Sequence, residues 1–273
     1  MPLIALMGNP NSGKTAIFNL LTGMNQKVSN YPGITVEQRK GTALLSKNNH
    51  VEIMDMPGTY SLTPESLDEK IVAQQTLKWL NGVDKPSVII SVVDAGNLSR
   101  NLYLTSQVME LGIPVIIALN MMDRVKGKNQ EVDSKKLQEL LGVHAIVPMS
   151  AREKWGIDEL QSELLNVLSK ASIEISPQIQ MEIPKEIEKI ITPISEYLHN
   201  KCDHDNYITN VQALRIITRK SAMDLYSECE NLNSAEITSL TLLRDKVAQE
   251  IDELGLNHRI LEATLRFEML DNA

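Results

Sequence analysis

Residues 8–15 read "GNPNSGKT", which places two glycines, a lysine and a threonine at the spacing G-x-x-x-x-G-K-T. Glycines at these positions let the backbone close around an anion, so that consecutive main-chain N–H groups surround a phosphate chain. In that geometry Lys14 reaches the β- and γ-phosphates and the Thr15 hydroxyl is a ligand for Mg²⁺. The chemistry depends on context. The apolar run "LIALMG" immediately before reads as a buried strand, and residues 14–22 after it have helical spacing, which is the order a phosphate loop needs.

Further chemistry-bearing residues follow in a fixed order. "DMPG" ends the next apolar run: Asp55 is placed to hold magnesium through a water, and the Gly58 N–H to sense a γ-phosphate. Thr35, in "YPGITVE", lies between the first helix and the second strand, where its hydroxyl adds to Mg²⁺ and its N–H to the γ-phosphate. "NMMD" supplies Asp123, whose carboxylate accepts both the ring N–H and the exocyclic amine of guanine. Adenine lacks that donor pair and would leave a buried carboxylate unmatched. "MSA" places the Ala151 N–H near the guanine oxygen. The pocket so assembled comprises Gly8, Asn9, Pro10, Asn11, Ser12, Gly13, Lys14, Thr15 and Ala16; Gly33, Ile34 and Thr35; Asp55, Met56, Pro57 and Gly58; Asn120, Met121 and Asp123; and Met149, Ser150 and Ala151. Asn11, Lys14, Thr35 and Gly58 are the candidates for catalysis. In this order and context the motifs specify a guanine-nucleotide pocket for GTP.

The elements that must position these residues alternate. "LIALMG", "VEIMDM", "SVIISVVD", "PVIIALN" and "HAIVPMS" read as buried strands. Residues 14–22, 66–80, 99–111, 133–141 and 156–169 read as helices between them, giving a doubly wound, mostly parallel α/β sheet. "TVEQRKGTALLS" and "HVEIMDM", joined by "KNNH", predict a hairpin that adds one antiparallel edge strand. The expected division is a GTPase domain over 1–169, a linker over 170–183 and a small all-α domain over 184–273, whose last long helical run starts near Ala235.

Charge and composition narrow the function classes. Residues 1–166 carry 16 Lys and Arg against 17 Asp and Glu, while residues 167–273 carry 11 against 18. The acidic second half opposes docking on a phosphate backbone, so no nucleic-acid partner is expected. No signal peptide or membrane span is read from the sequence, and Cys202 and Cys229 do not form a disulfide framework, which favours a reducing compartment. The cluster His199, Cys202, Asp203, His204 and Asp205 matches no closed metal pattern and reads as a polar inter-helix loop. Cys229 reads as a helix-end residue and Met121, Met122 and Met149 as packing near the base pocket.

"GNPNSGKT", "NYPGITVEQRKG", "DMPGTYSLTPESLDE", "NMMD" and "SAR" together closely resemble the cytosolic N-terminal region of the ferrous-iron transport protein B family. The tyrosine-proline before Thr35 and "GTYSL" after Asp55 separate this pattern from generic small GTPases. "LRFEML" near the end resembles a degenerate form of that family's exit from the region. The resemblance implies Mg²⁺-dependent GTP hydrolysis and a helical domain like a GDP-dissociation inhibitor, described in that family as slowing GDP release. It also implies a C-terminal transmembrane ferrous-iron permease domain in the same polypeptide, and a place on the cytoplasmic face of the bacterial inner membrane. A small accessory protein of the transport system and self-association are compatible with it.

One part is missing from the switch. Many GTP-hydrolysing proteins hold the attacking water with a glutamine after the DxxG glycine; here that residue is Thr59, which is too short for the task. Family members with asparagine at the place of Asn11 resemble potassium-activated GTPases. The resemblance therefore implies a K⁺ site made by Asn11 and backbone from residues 25–34, neutralising transition-state charge as an arginine finger does. The ring of Pro10 would crowd an arginine inserted by a partner. The water-holder is left open among the Thr35 backbone and Glu65, Asp68 or Glu69, with Glu65 read as a solvated helix start. The alternatives are a soluble GTPase of ribosome or tRNA maturation, and a switch that binds GTP with negligible hydrolysis.

Overall fold

The computed structural model describes residues 1–24, 26–30, 37–126, 132–170, 180–201 and 204–272. The chain divides into two compact units, Met1–Leu62 with Gly82–Ile179, and Thr63–Asn81 with Gln180–Ala273. This departs from the linear division read from the sequence, because residues 63–81 belong with the helical unit.

The first unit is built on β1 (Leu3–Gly8), β2 (Gln26–Asn30), β3 (Glu37–Ser46), β4 (Asn49–Asp55), β5 (Val88–Asp94), β6 (Val115–Asn120) and β7 (Ala145–Pro148). They form one sheet in the order β2-β3-β4-β1-β5-β6-β7. β1 pairs in parallel with both β4 and β5, and β5–β6 and β6–β7 are also parallel, whereas β2–β3 and β3–β4 are antiparallel. The hairpin strand β3 was expected at the edge; β2 covers it, with Val28 opposite Arg39. "QKVSN" has no run of apolar residues to announce a strand, and its pairing comes from ladder hydrogen bonds rather than from burial.

The helices of this unit are α1 (Lys14–Thr22), α3 (Leu98–Met109), α4 (Met122–Lys126), α5 (Ser134–Leu141) and α6 (Ile157–Ser169). Alternate strand residues face opposite sides of the sheet. Ile4, Leu6, Val88, Ile90, Val92, Ile116 and Ala118 pack with Ile17 and Phe18 of α1 and Leu160 and Leu164 of α6. Ser91 points the other way and meets Thr105 of α3, hydroxyl to hydroxyl at 2.8 Å. With both faces buried, the strands read as near-continuous apolar runs. Strand order reverses around β1, so the loop after β1 lies at the switch point where such sheets bind ligands.

The second unit holds α2 (Leu67–Leu80), α7 (Lys185–His199), α8 (Asn206–Thr218), α9 (Lys220–Cys229), α10 (Ser234–Glu253) and α11 (Leu261–Asp271). Its core gathers Ile187, Ile191, Ile194 and Leu198 with Leu214, Ile217, Met223, Leu240, Val247, Ile251 and Leu265. The continuous helical pattern of "NVQALRIITRKSAMDLYSE" breaks at Arg219, whose backbone is extended (φ −136°, ψ 125°). Arg244 of α10 explains the stop. Its guanidinium donates to the Ile216 and Ile217 carbonyls at 2.9 and 3.2 Å, satisfying acceptors that a further turn of helix would have used. Residues 180–183, read as linker, join this unit: Met181 is buried in its core and its N–H donates to Tyr207 Oη at 3.0 Å. The rest of the expected linker, 171–179, lies outside the described residues. Among the described residues no helix is long and apolar enough to cross a membrane.

Candidate nucleotide site

The loop 8–15 leaves β1 and enters α1 at Lys14. Gly13 takes the N-cap position with a left-handed backbone (φ 92°) and no side-chain cap, which leaves the first N–H groups of α1 to a ligand. A Cβ on Gly13 would stand 2.1 Å from the Asn120 amide nitrogen, so both backbone sign and space demand glycine. Asn11 also has a left-handed backbone (φ 64°), which asparagine tolerates better than most residues. Its side chain is exposed, and no described residue hydrogen-bonds to it. Ser12 Oγ and Asn9 Oδ1 are buried without a partner among the described residues.

Lys14 Nζ bonds Asp55 Oδ1 at 2.5 Å, which brings the end of β4 to the phosphate loop. Burial pushes the Asp55 carboxyl above the usual carboxylate range, against the opposing pull of the Lys14 ammonium and, further off, of Arg39. An oxygen-only pair, the Asp55 carboxylate and the exposed Thr15 hydroxyl, has the donor chemistry of a magnesium site. Gly58 abuts the loop directly: a Cβ there would sit 3.2 Å from the Pro10 backbone. Main-chain bonds fix this approach, from Met56 N–H to Leu6 O at 3.0 Å and from Thr59 N–H to Gly8 O at 3.3 Å.

Asn120 ties the base-side motifs to the phosphate loop. Its amide donates to Ser12 O at 2.9 Å while its oxygen accepts the Ala151 N–H at 2.9 Å. The N–H that the sequence assigns to the guanine oxygen is therefore engaged with Asn120 here. Ser150, fully buried, donates to Asp123 Oδ1 at 2.8 Å and accepts the Glu153 N–H at 3.2 Å, orienting the carboxylate. Met149 and Met122 are buried beside it. This role of Ser150 was missed in the sequence, where "SAR" drew attention to the alanine.

Thr35, Gly33 and Ile34 lie outside the described residues. Of residues 25–34, expected to lend backbone to a K⁺ site, 26–30 are strand β2 and pair with β3. Thr59 is buried, its hydroxyl donating to Ser61 O at 2.6 Å, so it turns inward rather than toward a water. In the second unit Glu65, expected to be a solvated helix start, is exposed just before α2 and makes a solvent-exposed pair with Arg219 at 2.9 Å, and Glu69 accepts the Glu65 N–H at 2.9 Å. Asp68 is exposed in the first turn of α2. In the histidine-rich loop, His204 Nε2 lies 3.1 Å from Asn81 Oδ1 and Asp205 caps α8; Cys202 and Asp203 are outside the described residues. Among the described residues no group of three or more His, Cys, Asp or Glu is placed to hold a metal. Cys229 is half-buried, and burial pushes its thiol up, away from nucleophilic use.

Comparison with known proteins places this geometry. Residues 3–164 match the family model described as ferrous iron transport protein B. The Fe(2+) transporter FeoB of Legionella pneumophila (strain Paris) is 41% identical over 200 residues, 72% of this chain and 25% of that protein. The Fe(2+) transporter FeoB of Staphylococcus aureus (strain COL) is 32% identical over 255 residues, 93% of this chain and 36% of its own length. The chain thus spans about a quarter to a third of the curated relatives it matches. Among solved structures, the cytosolic domain of L. pneumophila FeoB superposes with a TM-score of 0.80 at 34% identity, over 99% of this chain and 96% of that one. NFeoB from S. thermophilus, bound to GDP, AlF4⁻ and K⁺, does so with a TM-score of 0.75 at 31% identity, over 100% and 98%. A phosphate loop braced by Asn120, a carboxylate oriented by Ser150 and a family match across the sheet agree: the chain belongs to the ferrous iron transport protein B family, as its N-terminal P-loop G domain with a helical region following.

Proposed function

We propose that the chain binds and hydrolyses GTP as the cytosolic module of a ferrous-iron membrane transporter, with turnover dependent on Mg²⁺ and stimulated by K⁺. The observation that carries the reading is the Lys14–Asp55 pair at the mouth of a glycine-bounded loop, beside the Asn120–Ala151 and Ser150–Asp123 bonds. Lys14 moves from Asp55 to the β- and γ-phosphates when nucleotide enters, which frees Asp55; Asp55, Thr15 and Thr35 would hold Mg²⁺. Asp123 reads the guanine edge. Gly58 N–H and the phosphate-loop N–H groups take the γ-phosphate oxygens while water attacks in line. Mg²⁺ held there, and K⁺ held by Asn11, would supply positive charge against the developing transition state. The related S. thermophilus structure bound to GDP, AlF4⁻ and K⁺ supports a place for K⁺ in the reaction. The permease domain of the same polypeptide, a cytoplasmic-face location and an accessory protein belong to this proposal.

Multiple-turnover phosphate release from GTP and Mg²⁺, in KCl and in NaCl, tests it. Faster release in KCl, with the difference lost in Asn11→Ala while GDP still binds, is the expected result. No release in either salt would leave a nucleotide switch without hydrolysis. Equal rates in both salts would remove the potassium part alone.

A further inference from the structure

The segment 59–62, "TYSL", has no sheet or helix to satisfy its main chain, yet each residue of it is held. Thr59 closes a tight turn with its own hydroxyl, which donates to Ser61 O at 2.6 Å and accepts the Ser61 N–H at 3.3 Å. Tyr60 lies beneath Arg100, whose guanidinium carbon is 4.1 Å from the ring centroid. The Leu62 N–H donates to Gln107 Oε1 at 2.8 Å, and the Ser61 hydroxyl donates to the same oxygen at 3.2 Å. Arg100 and Gln107 stand two turns apart on α3, so one helix face presents both. That helix also reaches the phosphate loop, because the Arg100 carbonyl accepts from Asn9 Nδ2 at 3.3 Å.

Gln107 is completely buried. An amide in such a place is unfavourable unless its polar atoms are bonded, and a methionine would fill the volume at less cost. What the amide adds is an acceptor for a main-chain N–H that has no ladder partner. We propose that Gln107 is a positioning residue for GTP hydrolysis: it latches the loop after Gly58 so that this glycine stays against Pro10, with Arg100 holding the outer side through Tyr60. α3 then braces the phosphate loop and the switch glycine together. The inference rests on the GTPase reading above and goes beyond it by assigning the support of the loop.

The test compares wild type with Gln107→Met, Gln107→Glu and Ser61→Ala in the whole chain, measuring kcat, KM, GDP affinity, melting temperature and amide exchange of residues 59–62 without nucleotide. Leaving one buried N–H unmatched should lower kcat about tenfold in Gln107→Met, while GDP affinity changes by less than about twofold. Exchange at 59–62 should quicken. Gln107→Glu keeps the acceptor but buries a carboxyl, so it should recover part of the rate, more at lower pH where the carboxyl is neutral, and Ser61→Ala should give a smaller loss than Gln107→Met. Unchanged exchange in Gln107→Met overturns the latch, as does a fall in GDP affinity and melting temperature that parallels the fall in kcat. An unchanged kcat beside quickened exchange overturns the role in hydrolysis. If wild type releases no phosphate, the GTPase reading fails and the positioning role with it, while exchange still decides the latch.

Discussion

Ser150 shows how much of a candidate recognition site sits one bond behind the residue proposed to read the guanine. Its hydroxyl donates to Asp123 from a fully buried position. Ser150→Ala should weaken GDP binding about ten- to a hundredfold, the usual cost of losing a hydrogen bond to a charged group, with little change in the melting of the free protein. Equilibrium titration of GDP measures it; affinity within about twofold of wild type would show that Asp123 orients itself. Asn120, Lys14 and Asp55 were legible in the sequence because their motifs are local and each has a fixed place after a strand. Gln107 was not legible: a glutamine in "LTSQVMELG" reads as an ordinary polar position of a helix. Its partners lie 45 and 46 residues away, at Leu62 and Ser61.

At the scale of elements, α2 repays attention because it follows the switch glycine yet packs in the helical unit. Lys70 and Gln74 both reach Glu228 of α9, at 2.8 and 3.4 Å, and Asn81 reaches Glu230 at 2.9 Å. These contacts are solvent-exposed, so they specify position more than they stabilise. Glu228→Ala should cost less than about 1 kcal/mol in urea unfolding of the chain. Ile217→Ala, which removes a wholly buried side chain from the same unit's core, should cost about 2–5 kcal/mol. The reverse order would mean that the polar strip carries the unit. The same contrast explains which elements the sequence announced. β1, β5 and β6 are buried on both faces and apolar apart from Ser91, Asp94 and Asn120, whereas β2 is polar and exposed and left no periodic trace. The stop between α8 and α9 was hidden because its cause, Arg244, comes from another helix.

For the molecule as a whole, separate hydrophobic cores in the two units predict separate responses to ligand and to acid. Calorimetry should resolve two transitions, of which GDP with Mg²⁺ raises only that of the sheet unit. At a hundred times the dissociation constant the shift corresponds to about 2.7 kcal/mol. Acid should act on the other. Asp252 accepts bonds from the His258 N–H at 3.0 Å and the His258 ring at 2.8 Å, which hold its carboxyl below the usual range. A depressed carboxyl contributes stability above its unfolded value, about 3.9, and loses it as pH falls through the lower folded value. Asp252→Asn should therefore melt earlier than wild type at neutral pH in the helical transition, with the difference closing below about pH 3.9. A single transition that moves as one with GDP would show instead that the units unfold together.

The bond between Lys14 and Asp55 makes loading an exchange of partners. Each charge neutralises the other while both are largely buried. A nucleotide arriving alone would claim the ammonium and strand a carboxylate in a low-dielectric site; a divalent ion arriving alone would claim the carboxylate and strand the ammonium. Arriving together, they replace one neutral pair with two. On the proposed reading, the pocket would favour a metal–nucleotide unit over either component alone, because only the pair together matches both buried charges.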